Sequence, residues 1–203
     1  MKNILLKYLG YIKLYLYKIK CRNLIVGKNM FFHPKARILI KNKRSIVKFG
    51  EECHIEKNCV FIVDKDSYLD VEKGVIIKEN CNFEVGKNAK LIISDKTFFN
   101  SYCRIVCLEE INIGKNNAFG PDVYIFDNNH IIKKNSMVNW NEYSSSKILI
   151  GNNSWIGARS LILKGTTIGN NCIIAGMSVT NCIIQSNKIF YNKILKEYKE
   201  LND

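Results

Sequence analysis

Hydrophobic residues along this chain keep neither the helical period of 3.6 residues nor simple strand alternation, and over long stretches they recur every six. From Ile150 the sequence reads IGNNSW, IGARSL, ILKGTT, IGNNCI, IAGMSV, so Ile150, Ile156, Ile162, Ile168 and Ile174 stand six apart without a gap. The neighbouring columns are as regular. Gly151, Gly157, Leu163, Gly169 and Ala175 hold the second position, and the fifth is small throughout: Ser154, Ser160, Thr166, Cys172 and Ser178. Shorter runs lie upstream: VGKNMF then FHPKAR from Val26, FGEECH then IEKNCV from Phe49, IKENCN from Ile77, VGKNAK from Val85, and IGKNNA then FGPDVY from Ile113. The repeat therefore covers about residues 26–180.

Six residues make one short flat strand and a turn. Three such units close a triangular coil, and stacked coils pair their strands in parallel around a continuous core. The aliphatic first position points to the axis, the Gly at the second relieves the turn, and the small fifth residue packs at the tight corner. Cys53, Cys59, Cys81 and Cys172 all fall at that fifth position, which makes them small core residues rather than ligands or nucleophiles. The pattern predicts an all-β solenoid over residues 23–184. Its handedness does not follow, since the general rule for parallel crossovers gives right-handed coils.

Three segments depart from the period. Residues 1–22 place Leu5, Leu9, Ile12, Leu16 and Ile19 at helical spacing with lysines and tyrosines between them, which predicts an amphipathic helix. Its apolar face suits either docking on the solenoid or lying on an anionic membrane surface, and the need to cover a β-helix end favours docking. Residues 185–203, containing KIFYNKILKEYKE, read as a second short helix over the opposite end. Residues 127–147 lack the signature and read as a loop thrown out from the coil, the place where function sits in a solenoid.

Composition adds limits. With 47% hydrophobic residues, disorder is excluded and one globular domain fits. The eight cysteines contain no C-x-x-C pair and no secretion signal is evident, so the reading is a cytoplasmic protein with reduced thiols. No apolar run approaches the roughly 18 residues of a membrane span. The net charge of +13 suits an anionic partner, although Lys, Asn and Ile are abundant together, as AT-rich coding alone would produce. No helix-turn-helix, RNP or finger pattern supports nucleic-acid binding.

Of the three histidines, His33 and His54 occupy turn positions of ordinary coils. His130, in FDNNHII at the root of the loop, stands close to Asp127, a carboxylate suited to orienting its imidazole. The motif IGKNNAFGPDVYIFDNNH before the loop and IGNNSWIGARS after it resemble the hexapeptide-repeat acyltransferases. The similarity is to the sugar O-acetyltransferase branch, of the maltose and galactoside type and those acting on surface polysaccharides, over roughly residues 75–180. The resemblance implies a left-handed parallel β-helix with an active-site loop, acetyl-CoA as donor, a sugar or glycan acceptor, and no metal. It also implies a homotrimer with sites between subunits, in the cytoplasm or at the inner face of the membrane.

The family's IG-x-N-x-x-x-x-P-x-V unit lands on Ile113, Gly114, Asn116, Pro121 and Val123, leading to His130 as general base. By the same resemblance Asn100 lies near the acceptor and Trp155 borders the site. The backbones of Ala158 and Gly176 line the groove for the pantetheine arm, and Lys196, with Lys193 and Lys199, is a candidate for the CoA phosphates. The chain departs from the family in NCIIQSNKIFYNK, which has no Gly or Pro where a P-P-x-x-x-x-x-G-x-P-A segment is usual. It departs again near Leu108 and Glu109, where galactoside-type enzymes carry an acidic acceptor ligand. An amino-sugar N-acetyltransferase and a non-catalytic binding scaffold are the alternative readings. A zinc-dependent carbonic anhydrase is set aside for want of an H-x-x-x-x-H pair.

Overall fold

The computed structural model describes residues 2–132, 139 and 141–191, and it is a left-handed parallel β-helix. Strands of two to four residues stack into three parallel sheets of eight, eight and seven strands, one per face of a triangular prism. The first face runs from Leu24–Val26 to Ile183–Ile184, the second from Phe31–Phe32 to Ile189–Phe190, and the third from Arg37–Ile40 to Val179–Thr180. The right-handed rule for crossovers rests on strand twist, and strands this short carry too little twist to direct the connection.

The corners turn on the fourth residue of each unit. Asn29, Asn58, Asn80, Asn88, Asn116, Asn153, Asn171 and Asn187 all adopt φ between 55° and 63°, the left-handed region that Asn tolerates best after Gly. Several stack: Asn116 Nδ2 donates to Asn153 Oδ1 (3.2 Å), Asn153 to Asn171 (3.3 Å) and Asn171 to Asn187 (3.0 Å). The Gly of the second position is there for a different reason from the turn geometry expected of it. A Cβ on Gly114 would lie 2.6 Å from the Gly151 carbonyl oxygen, and one on Gly157 would lie 2.4 Å from Gly176 N. These glycines admit the next coil.

The small fifth position has a polar as well as a steric task. Cys53 Sγ donates to Glu72 O (3.0 Å), Thr97 Oγ1 to Gly114 O (3.0 Å), Cys103 Sγ to Gly120 O (3.2 Å) and Ser160 Oγ to Ala175 O (3.1 Å), each reaching one coil onward. Ser, Thr and Cys are small side chains that also donate. Burial pushes the Cys53 thiol up to about 11, so it stays protonated.

Coil length differs from the uniform eighteen residues that three six-residue units imply. Register partners Leu69 and Leu91 are 22 residues apart, Leu91 and Ile111 are 20, Leu149 and Thr167 are 18, and Thr167 and Ile183 are 16. In the wide coils the first and third faces each point two residues inward, such as Leu69 with Val71 and Phe83 with Val85. The larger cross-section is filled by a column of phenylalanines. Phe49, Phe61, Phe83 and Phe99 meet edge to face at 5.1–5.5 Å, and Phe99 stacks on Phe119 at 4.4 Å. The narrow coils are filled by single isoleucines, Ile156, Ile162, Ile168 and Ile174.

The helix α1, Lys2–Lys20, docks against the first coil. Gly10, Leu14 and Cys21 are buried in that contact, and Lys13 Nζ donates to Pro34 O and Ala36 O, both at 2.7 Å. At the other end the solenoid runs on through strand Ile189–Phe190, correcting the expected start of a helix at residue 185. The remainder of that expected helix, with Lys193, Lys196 and Lys199, lies outside the described residues.

Phe83→Ala is expected to lower unfolding stability by about 3–5 kcal/mol, because a wide coil cannot collapse onto the void. Ile162→Phe, which forces the same ring into a narrow coil, is expected to cost about 1–3 kcal/mol through overpacking. Urea denaturation of both variants checks the pair.

Candidate active site on the third face

Ile111 and its register partner Ile148 are 37 residues apart instead of a single coil's length, and the excess forms the loop. Its arms are antiparallel: Asn128–His130 pairs with Tyr143–Ser145, with His130 opposite Tyr143. His130 is exposed at the end of its arm. Below it, outward residues of two third-face strands, Arg104 and Val106 from Arg104–Cys107 and Phe126 from Tyr124–Phe126, line a cavity of about 410 Å³ together with Asn128, Asn129 and His130. Sequence reading missed Arg104, Val106 and Phe126. Their outward alternation in strands adjoining the loop root was the available signal.

Asp127 does not serve the imidazole as expected. Fully buried, it accepts from Leu108 N through Oδ1 (2.7 Å) and from Glu109 N through Oδ2 (2.8 Å). The cause is local. From Cys107 to Ile111 the corner takes four residues, where Val85 to Leu91 takes six, and this shortened turn leaves two N–H groups pointing inward. A carboxylate fills such a backbone nest well. The Asp127 carbonyl also accepts from Ser146 N (2.9 Å), closing the root of the loop. Lys164 Nζ on Ser144 Oγ and the Lys147–Glu110 ion pair (2.7 Å) hold the returning arm. The hydrogen bond from Lys147 holds the Glu110 carboxyl below its usual range. Asp127 thus places His130 through the backbone.

The other residues singled out gather at the edge between the second and third faces. Ser101 O accepts from Asp122 N (3.1 Å), Pro121 O from Arg159 N (2.9 Å) and Ala158 O from Met177 N (2.8 Å), so Asn100, Ala158 and Gly176 belong to one column of corners in successive coils. Trp155, on the second face just before that edge, is 56% exposed between Ala118 and Ile173. Along this column the asparagines give way: Tyr102, Asp122, Arg159 and Met177 hold positive φ in four successive coils. Bulky left-handed residues store strain of the kind found at functional sites. Asn100 and His130 are therefore not brought together within one chain, since one precedes the third face and the other follows it.

The two remaining histidines meet elsewhere. His54, a strand residue rather than a turn residue, stacks on Phe31 at 4.5 Å and puts Nε2 2.9 Å from Glu56 Oε1. With His33, Lys7, Ile4 and Leu6 they line a cavity of about 470 Å³ beside α1. Burial holds His33 below its usual range. His33 and Glu56 stand on the same edge as the small-residue column, in the first two coils, with Glu56 two coils before Asn100. Among the described residues no group of three or more His, Cys, Asp or Glu side chains is arranged to hold a metal ion.

Residues 147–182 match the family model described as bacterial transferase hexapeptide (six repeats). This is the narrow region, where the six-residue period is uninterrupted. A putative lipopolysaccharide biosynthesis O-acetyl transferase, WbbJ of Escherichia coli K12, is 29% identical over 119 residues, 53% of this chain and 61% of that protein. The galactoside O-acetyltransferase of the same organism is 32% identical over 93 residues, 46% of this chain and 45% of that one. The chain thus spans less than two thirds of either relative. In fold it resembles the polySia specific acetyltransferase NeuO, with a TM-score of 0.61 at 18% identity over 84% of this chain and 72% of that one. It also resembles AntD, an N-acyltransferase from Bacillus cereus solved with dTDP and coenzyme A, with a TM-score of 0.59 at 16% identity over 93% and 88% of the two chains.

Asp127→Ala strands two buried N–H groups and is expected to lower stability by about 3 kcal/mol. Chemical denaturation checks this. Full stability with loss of activity alone would return Asp127 to the imidazole.

Proposed function

We propose that this hexapeptide-repeat β-helix, with sugar O-acetyltransferases among its sequence relatives, is an acetyl-CoA-dependent O-acetyltransferase acting on a sugar hydroxyl. The acceptor is a cell-surface glycan or its precursor, of the capsule or lipopolysaccharide kind, and the enzyme works in the cytoplasm. The observation that carries the reading is the division of the third face. His130 overhangs a cavity at one edge, while a column of small residues beside Trp155 leaves backbone accessible at the other.

Both sequence relatives transfer acetyl groups to oxygen by name, which supports a hydroxyl over an amine. In the reaction neutral His130 takes the hydroxyl proton as the acceptor oxygen attacks the thioester carbonyl. The C–O bond forms, the C–S bond breaks, and the proton passes to the departing CoA thiolate. The corner column at Ala158 and Gly176 suits the pantetheine arm, because a larger side chain there would hold the arm off the backbone. Asn100 belongs to the acceptor side. Since His130 and this column lie at opposite edges of one face, the complete site takes one edge from each of two neighbouring chains, in a homotrimer.

Two measurements test this. The melting temperature should rise with acetyl-CoA and with CoA but not with ATP, because binding to the folded state stabilises it by mass action; an unchanged melt at saturation would favour a binding scaffold. His130→Ala should lower kcat by about 10²–10⁴ while preserving the oligomer and the acetyl-CoA melt shift. Retained turnover would remove His130 from the chemistry.

A further inference from the structure

The docked side of α1 is one narrow stripe, and the opposite side is an exposed apolar surface. Ile4, Tyr8, Ile12, Tyr15, Leu16 and Ile19 are each between 52% and 67% exposed. At 100° per residue they fall within an arc of about 120°, centred opposite buried Gly10 and Leu14. The borders of that arc are cationic: exposed Lys18 stands on one side and exposed Lys20 on the other. Residues 2–22 contain five lysines and one arginine and no acidic residue. The apolar face that the sequence favours for docking, with Leu5, Leu9, Ile12, Leu16 and Ile19, is instead exposed throughout, and the helix docks through Gly10, Leu14 and Cys21.

From this we propose that α1 seats the protein on an anionic lipid surface, with its outward apolar stripe in the acyl boundary and its lysines at the headgroup level. The charge pattern selects this occupant. A second copy of the chain would oppose one all-cationic border to another, whereas anionic headgroups neutralise both borders at once. The helix lies on the bilayer and does not cross it, since no helix among the described residues is long and apolar enough to span. Lys13, turned inward to Pro34 and Ala36 carbonyls, fixes the helix to the first coil, so the stripe is presented by the rigid solenoid.

Vesicle flotation of the full chain tests this, using phosphatidylcholine with and without phosphatidylglycerol. The protein should float with the mixed vesicles and at least about tenfold less with phosphatidylcholine alone. The double variant Ile12→Glu, Leu16→Glu should stay with the soluble fraction while keeping its melting temperature, its oligomeric state and its acetyl-CoA melt shift. Lys18→Gln and Lys20→Gln should each weaken flotation about fivefold, the loss of roughly one headgroup-level charge. Absence of flotation by the unmodified chain, or undiminished flotation of the double variant, overturns the proposal. A change of oligomeric state in the double variant would instead assign the stripe to contact between copies. Flotation and its loss in the double variant do not depend on whether the chain transfers acetyl groups.

Discussion

Coils held at the spacing of a hydrogen-bonded sheet, about 4.8 Å, bring corner backbone against corner backbone, and that proximity governs the rest of the molecule. It excludes a Cβ at positions such as Gly114 and Gly157. It requires a left-handed residue two positions later, which Asn supplies and then uses to bond the next Asn. It requires a short donor at the fifth position to satisfy a carbonyl of the next coil, which Ser, Thr and Cys share. Abundant Asn and Ile, which AT-rich coding would also explain, are spent at positions that the stacking demands.

Against so regular a background, the candidate site shows as irregularity. The corner shortened at Leu108–Glu109 calls for a buried anion, and Asp127 provides it at the point where the chain leaves the coil. The loop arm that begins there carries His130 on backbone fixed at both ends. Along the edge between the second and third faces, Tyr102, Asp122, Arg159 and Met177 accept unfavourable backbone angles. One rigid prism thus holds a polar arm and a bare edge at a separation set by the width of a face.

The spacing of Ile150 to Ile174 is sufficient to read the solenoid, because a core that admits one aliphatic per face repeats visibly. The wide coils were harder to read. Adding an inward residue such as Val71 beside Leu69 lengthens a face by two positions and keeps the in–out alternation, so nothing local marks the change. The family model matches only residues 147–182 for the same reason, since its strict period holds there. The backbone contacts of Asp127 are not legible in the sequence, because its partners are main-chain N–H groups nineteen and eighteen residues away, and backbone leaves no residue signature. Gly114 makes room for the next coil, and a sequence does not distinguish a glycine that turns from one that makes room.

The shrinking perimeter has a bearing on solubility. A prism of constant cross-section offers the same triangle of unpaired strands at both ends, and identical copies would add end to end like beads on a rod. Here the first coil takes 23 residues from Leu24 to Val47 and the last full one takes 16 from Thr167 to Ile183. A broad triangle cannot continue the ladder of a narrow one on all three sides, and α1 already occupies the broad mouth. The taper that fits phenylalanine at one end and isoleucine at the other therefore also works against fibre growth.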